Sequence, residues 1–335
     1  MRELSDELAA IARRYQRFAS VEVRGSSPVY EQLALAVAGS TELLAFLKTL
    51  PPERRQPNLF LAAVREVVGV PRNADELIEV VRSHAVGVRH IMQSRTTQTN
   101  EPGRCAVLLP VLAGLRQPLA LIEVGASAGL CLLPDRYSYQ FGEQRLDPIA
   151  AYASAAQQGS AAPVFHCHAN AATPLPLALP TVVWRQGLDL NPLNVRSASD
   201  MAWLQTLVWP EHQQRAQRLN AAIVIARCEP PQVRRGNLLT DLPALAALAP
   251  RDAQLVVFHS AVLGYIASQS DRDAFAQTVA RTGAIWISNE SPATFPEIAR
   301  RAPASARPGQ FLLSVDGKPI AWTGPHGQSI DWFSE

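Results

Sequence analysis

Apolar positions in the first third of the chain recur at three-four spacing, the period of a helix with one buried face. Leu4, Leu8, Ile11, Ala12 and Tyr15 fall on one such face. Tyr30, Leu33, Leu35, Leu43, Leu44, Phe46 and Leu47 extend the pattern until Pro51-Pro52 stops it. Leu59–Val70 and Ala74–Met92 are two further helical stretches. No alternating strand pattern interrupts them. The spacing predicts an N-terminal helical domain over residues 1–117, a cap or bundle of helices.

The texture changes at Pro118. Leu119–Val124 is a short apolar run that ends in a glycine turn, and Ala128–Leu133 then has helical character. Short apolar runs at Thr181–Leu188, Val233–Leu239, Gln254–His259 and Gly283–Ser288 alternate with helical stretches. Strands alternating with helices predict a parallel sheet covered on both faces. Phe311–Val315 and Lys318–Trp322 flank Asp316-Gly317, a hairpin signal because both turn positions need positive φ. Ala150–Pro180 is rich in Ala, Pro, Gln and Ser, so an insertion near 142–180 is expected, with a strand at Val164–Cys167. Residues 118–335 are thus expected to form a doubly wound, mostly parallel α/β sheet with a C-terminal antiparallel hairpin.

Composition narrows the class. The chain has 335 residues, 47% hydrophobic and 18% charged, as in a globular protein with a sizeable core. Its formal net charge of +2 is too small to call for a nucleic acid or a membrane surface. The basic pairs Arg13-Arg14, Arg234-Arg235 and Arg300-Arg301 are short enough to be solvated faces. Met1–Ser20 mixes charge with apolar residues and has no uninterrupted apolar core, so a cytoplasmic protein is expected. Cys105, Cys131, Cys167 and Cys228 make no C-x-x-C pair and no disulfide framework. His166-Cys167-His168 would share a strand face, but no third ligand stands at a recognisable spacing, and no metal is expected.

The chemistry concentrates at Glu123-Val124-Gly125-Ala126-Ser127-Ala128-Gly129. Three readings compete. A dinucleotide fingerprint needs glycine at 127 and 130, where Ser and Leu stand. A nucleophile elbow, G-x-S-x-G, is spelled literally by 125–129, with Ser127 as nucleophile and His326 as base, but no oxyanion segment precedes it. The third is a methyltransferase turn, an acidic residue two before Gly-x-Gly-x-Gly, with Ser127 replacing the middle glycine. Glu123 would then accept bonds from the turn's amides or from a ligand ammonium. A tight strand-helix joint without any ligand is the bland alternative.

The later strand ends are polar in sequence. Val182–Leu188 ends in Asp189, suited to accept from two ribose hydroxyls. Asn237 follows the third strand and could meet a base edge. His259, Ser260 and Tyr265 follow the fourth, where a general base and a substrate orienter would sit. Glu290 ends the fifth. Gln98, Thr99, Asn100, Glu101 and Arg104 cluster before the first strand, either over the ligand edge or as a helix-capping network. Trp203, Leu204, Leu207 and Val208 have helical spacing and read as core.

These residues resemble a bacterial family, domain of unknown function 2332, over nearly the whole chain. The resemblance rests on Gln98-Thr99-Asn100-Glu101 with Arg104, Glu123–Leu130, Gly187–Leu193, Trp203-Leu204 with Leu207–Pro210, Val257–Ser260 and Ile287–Glu290. It implies a class I methyltransferase-like Rossmann fold. Cys131 stands where Asn is more usual, and Asn237 where Asp is more usual. The expectation is S-adenosylmethionine-dependent methyl transfer to a small molecule. Glu123, Gly125, Ser127, Gly129, Asp189 and Asn237 would hold the cofactor. His259, Tyr265 and Glu290 would act at the reacting centre, with Asn100, Glu101, Arg104 and Ser260 facing substrate. A non-catalytic nucleoside- or protein-binding relative and a Ser127 hydrolase stand as alternatives.

Overall fold

The structure, a computed structural model, describes residues 2–149 and 163–333. The chain forms two compact units. The helical unit comprises Met1–Thr99 with Ala202–Gln217. It contains α1 (Arg2–Arg17), α2 (Pro28–Gly39), α3 (Thr41–Lys48), α4 (Pro57–Val68) and α5 (Ala74–Ser94). The run expected from Tyr30 to Leu47 divides because Ser40 caps a new helix, accepting from the Leu43 amide at 3.3 Å. Ser27 and Asn73 cap α2 and α5 in the same way. A side-chain oxygen at that position satisfies one of the amides that a helix start leaves without a partner. Tyr15, Phe18, Tyr30, Leu33, Phe60 and Trp203 fill the core of this unit. The Trp203 indole also donates to the Thr96 carbonyl at 2.9 Å.

The sheet unit comprises Asn100–Met201 and Arg218–Glu335. Its boundary falls at residue 99 rather than 117, because α6 (Cys105–Gly114) belongs with the sheet. Every residue of α6 from Cys105 to Leu112 is buried. A helix apolar on all sides must be covered on all sides.

The unit is a mixed α/β structure around a large, mostly parallel sheet. The strands are β1 (Leu119–Val124), β2 (Ser138–Phe141), β3 (Gln144–Leu146), β4 (Val164–His166), β5 (His168–Ala169) and β6 (Val182–Asp189). They continue with β7 (Val233–Arg235), β8 (Gln254–Ser260), β9 (Ile285–Glu290), β10 (Phe311–Val315), β11 (Lys318–Thr323) and β12 (Ser329–Trp332). The main sheet has nine strands in the order β5-β12-β11-β10-β9-β8-β1-β6-β7. From β7 to β9 all neighbours run parallel. The chain therefore starts this parallel block at its centre, builds outward to β7, then returns beside β1 as β8. The crevice where strand order reverses lies between β1 and β8. Helices α7 (Ala198–Thr206), α8 (Gln213–Cys228), α9 (Leu242–Ala246), α10 (Gln269–Thr282) and α11 (Pro296–Ala299) connect the later strands. Phe275 and Val279 of α10 pack with Ile122, Val257 and Trp286 in the sheet's core.

Three features depart from the sequence reading. The segment after the glycine turn is two three-residue 3-10 turns, Leu130–Leu132 and Pro134–Arg136, instead of an α-helix. Pro134 has no amide to donate to a continuing helix. A buried ion network then pins the second turn. Asp135 receives Arg185 at 2.8 and 3.0 Å and also pairs with Arg136, which reaches Glu229 at 2.9 Å. Secondly, β7 ends at Arg235 instead of Leu239. The Asn237 backbone amide donates to Asp241 at 2.8 Å and the Asn237 side-chain Oδ1 accepts from the Leu239 amide at 2.9 Å, which closes a turn there. Thirdly, β12 and β5 extend the sheet beyond the seven strands expected. The hairpin at Asp316-Gly317 forms as the sequence predicts, with φ of 49° and 73°.

The insertion places β4 at Val164–His166, pairing in parallel with β2 in a small three-stranded sheet. Part of the expected insertion lies outside the described residues. Among the described residues no helix is long and apolar enough to cross a membrane.

Candidate functional site

Glu123, next to last in β1, lies opposite Gly187 of β6 and Phe258 of β8. The turn that follows has positive φ at Gly125, Ser127 and Gly129, at 70°, 52° and 72°. That alternation is the backbone reason for a Gly-x-Gly-x-Gly pattern. Ser127 occupies a left-handed position that a residue with a Cβ adopts at a cost of roughly 1–2 kcal/mol.

The turn's amides find partners within the protein. Gly125 donates to the Leu188 carbonyl at 2.7 Å, and Gly129 to the Ala126 carbonyl at 2.7 Å. Ser127 donates to Asp189 Oδ2 at 2.8 Å, across 62 positions of sequence. Leu130 donates to Asn100 Oδ1 at 2.9 Å. The expectation that Glu123 accepts from these amides is replaced by a different pattern, in which Asp189 and Asn100 accept two of them. Asp189 is half-buried at the end of β6, and its second oxygen accepts from Asn191 at 2.7 Å. Each carboxylate oxygen retains a second lone pair.

Glu123 is 5% exposed, and its Oε2 has no hydrogen-bond partner among the described residues. Burial pushes its carboxyl well above the usual range, and the Cys131 thiol and the Asp189 carboxylate raise it further. The Arg104 guanidinium opposes them. The Ser127 hydroxyl, also buried, has no partner either. Two buried oxygens without partners at one strand end are unusual, since the great majority of such groups are satisfied. They fit a ligand that carries donors.

Arg104 lies over the ends of the central strands. Its Nη1 donates to the Ser260 carbonyl at 2.9 Å and its Nε to the Pro325 carbonyl at 2.9 Å. Glu101 accepts from the Gly103 amide at 3.1 Å and lies 4.0 Å from His326 Nδ1. The polar segment before β1 therefore joins the first strand end to the fourth and to the loop after β11. Ser260 Oγ accepts from Asn289 at 3.1 Å, and Asn289 accepts from Thr323 at 2.7 Å.

His259 and Glu290 are placed differently from expectation. His259 is fully buried, against Phe275 and Trp286. The Trp286 indole, a donor only, gives its hydrogen to His259 Nε2 at 2.9 Å. The imidazole proton is then on Nδ1, which donates to Glu290 at 2.7 Å. Neither ring nitrogen is left to take a proton from a substrate. The same Glu290 Oε1 accepts from the amides of Val262 and Leu263 at 2.9 and 3.1 Å. The pair thus anchors the loop after β8 from beneath. Tyr265, by contrast, is 75% exposed, and Asn237 is exposed with its side-chain oxygen engaged in its own turn.

Val262 carried no signal in the sequence, being one apolar loop residue among many. In the structure its side chain rests on Gly125. A Cβ at Gly125 would lie 2.5 Å from Val262 Cγ1 and 2.9 Å from its Cβ, and closer still to Cγ2. Gly129 is similarly covered, by Pro231 at 2.6 Å and Val233 at 3.0 Å. Cys105 and Cys131 form no motif in the sequence. They line the buried side of the turn, with Cys131 Sγ donating to the Glu101 carbonyl at 3.3 Å and Cys105 Sγ to the Cys131 carbonyl at 3.5 Å.

The elbow reading of Ser127 has the positive φ it requires, but among the described residues no base bonds to the hydroxyl. Among the described residues no group of three or more His, Cys, Asp or Glu side chains could hold a metal ion.

Compared with known proteins, residues 12–332 match the model of a family described as an uncharacterized protein conserved in bacteria, DUF2332. No curated protein and no solved structure matches the chain.

Proposed function

The chain belongs to the bacterial DUF2332 family, and from that premise we propose that it binds S-adenosylmethionine at the carboxyl edge of β1 and β6 and transfers the methyl group to a small molecule. One observation carries the reading: Asp189 is tied to the glycine turn through the Ser127 amide, although 62 positions separate them. Two further features support it. The parallel strands follow the third-second-first-fourth-fifth order of a doubly wound nucleotide-binding sheet. Glu123 Oε2 and Ser127 Oγ wait without partners beside the same turn.

In this reading Asp189 accepts from the ribose hydroxyls. Glu123 faces the ligand's cationic end, and Ser127 offers its hydroxyl between them. The sulfonium supplies an activated methyl group, so the protein's task is in-line positioning rather than strong acid-base catalysis. With His259 buried, Arg104, Glu101 and Tyr265 remain as the substrate-facing candidates.

Calorimetry with S-adenosylmethionine and S-adenosylhomocysteine tests the proposal. Saturable heat is expected for both, with Asp189→Ala weakening each by about 2 kcal/mol, the scale of a hydrogen bond to a charged group. Absence of saturable heat with either ligand on the wild-type protein would sink it.

A second reading is favoured by Val262 on Gly125 and by the engaged ring of His259. In it the fold binds a nucleoside-like ligand without turnover. Binding with no methylated product across a broad acceptor panel would select this reading over the first.

A further inference from the structure

The loop after β8 is held in an uncommon backbone conformation. Ala261 has a φ of 56°, a left-handed position in a residue with a Cβ. Its amide donates to the Asn289 carbonyl at 3.1 Å. The next two amides, of Val262 and Leu263, both donate to Glu290 Oε1, the oxygen that also receives His259. This arrangement delivers the Val262 side chain onto Gly125. Val262 itself is only half-buried and packs against the edge of the sheet's core.

The position matters because of the sheet order. In a doubly wound sheet the connections after the first and fourth strands diverge, and the space between them receives the ligand. Here those connections are the 125–129 turn and the loop beginning at Ala261. The isopropyl group of Val262 bridges them at the base of that space.

We propose that Val262 governs ligand access to the glycine turn and that Glu290 is the positioning residue that keeps it seated. The proposal rests on the binding site just assigned. A ligand reaching from Asp189 toward Glu123 passes over Gly125 and has to displace Val262 as it binds. Affinity is then reduced by the fraction of molecules in which the loop stands open. Replacing Val262 by a smaller residue removes the obstruction without touching any polar group of the site.

The experiment is calorimetry with S-adenosylhomocysteine on wild type, Val262→Ala and Glu290→Gln. An open state populated at about one tenth or less predicts at least about tenfold tighter binding to Val262→Ala. Glu290→Gln, which weakens the grip on the two amides, is expected to move affinity the same way by a smaller factor. A merely structural role for Glu290 would lower affinity or leave it unchanged. Equal or weaker binding by Val262→Ala, with the wild type binding, overturns the role of Val262 and leaves the site intact. Absence of binding by all three proteins overturns both. Should Glu290→Gln fail to fold, the comparison of wild type with Val262→Ala still decides.

Discussion

The carboxyl ends of β1 and β9 each bury a glutamate, and the two are treated in opposite ways. Glu290 is 3% exposed, and one of its oxygens accepts from three donors. Glu123 is 5% exposed, and its Oε2 has none. A buried carboxylate is tolerable when donors surround it and costly when they do not. The end of β9 is therefore finished by the protein itself, as a strut for the adjoining loop. The end of β1 is unfinished, and the proposed ligand site rests on that difference.

The sharpest way to break this comparison is to empty the satisfied end. Glu290→Ala leaves the His259 Nδ1 hydrogen and two backbone amides without their acceptor. A loss of about 3 kcal/mol is expected, since each buried donor left without an acceptor costs about 1–3 kcal/mol, read from urea denaturation. A loss under 1 kcal/mol would show that these bonds contribute little. On the other side, Gly125→Ala places a Cβ against Val262 at a φ of 70°. About 3 kcal/mol of destabilisation is expected, from left-handed backbone strain plus overpacking.

The smaller effects sharpen the contrast. Ser127→Gly relieves a left-handed Ser and removes a hydroxyl without a partner, so a gain of about 1–2 kcal/mol is expected in denaturation. A protein that gains stability there while losing affinity would be keeping a ligand contact at the expense of its own fold. Glu123→Gln tests the unfinished carboxyl by pH. Burial raises the folded carboxyl above its value of 4.5 in the unfolded chain. The folded state then holds the proton more tightly, and this contribution is full below the unfolded value and fades as pH rises toward the folded one. The variant lacks that fade. Thermal melts should therefore nearly coincide near pH 4, with the variant pulling ahead toward neutrality by about 1.4 kcal/mol for each pH unit in which only the unfolded carboxyl ionises. Parallel pH profiles would mean that Glu123 finds a compensating partner.

Much of the candidate site's placement was legible from residue types. The acidic residue before the glycines, the acid at the end of β6 and the Asn100–Arg104 cluster all gather at one edge of the sheet. His259 misleads in sequence because a histidine at a strand end looks the same whether it faces solvent or the core. Only its neighbours Trp286 and Phe275, which arrive from later in the chain, decide the matter. The helix expected at Ala128–Leu133 failed for a related reason. Local propensity allowed it, but Asn100 takes the Leu130 amide and the buried Asp135–Arg185 pair pins the following turn.

By itself the sequence determined the periodicities: helices where apolar residues recur every three or four positions, strands where short apolar runs meet glycine or Asp-Gly, and a left-handed turn where glycines alternate. These follow from the geometry of neighbouring residues, which is local. The tertiary structure alone decided which polar groups are satisfied. Whether Glu123 Oε2 lacks a donor, whether Glu290 Oε1 has three, and whether Val262 covers Gly125 depend on residues brought from far along the chain. Hydrogen bonding and contact depend on distance in space, and one-dimensional spacing does not specify it.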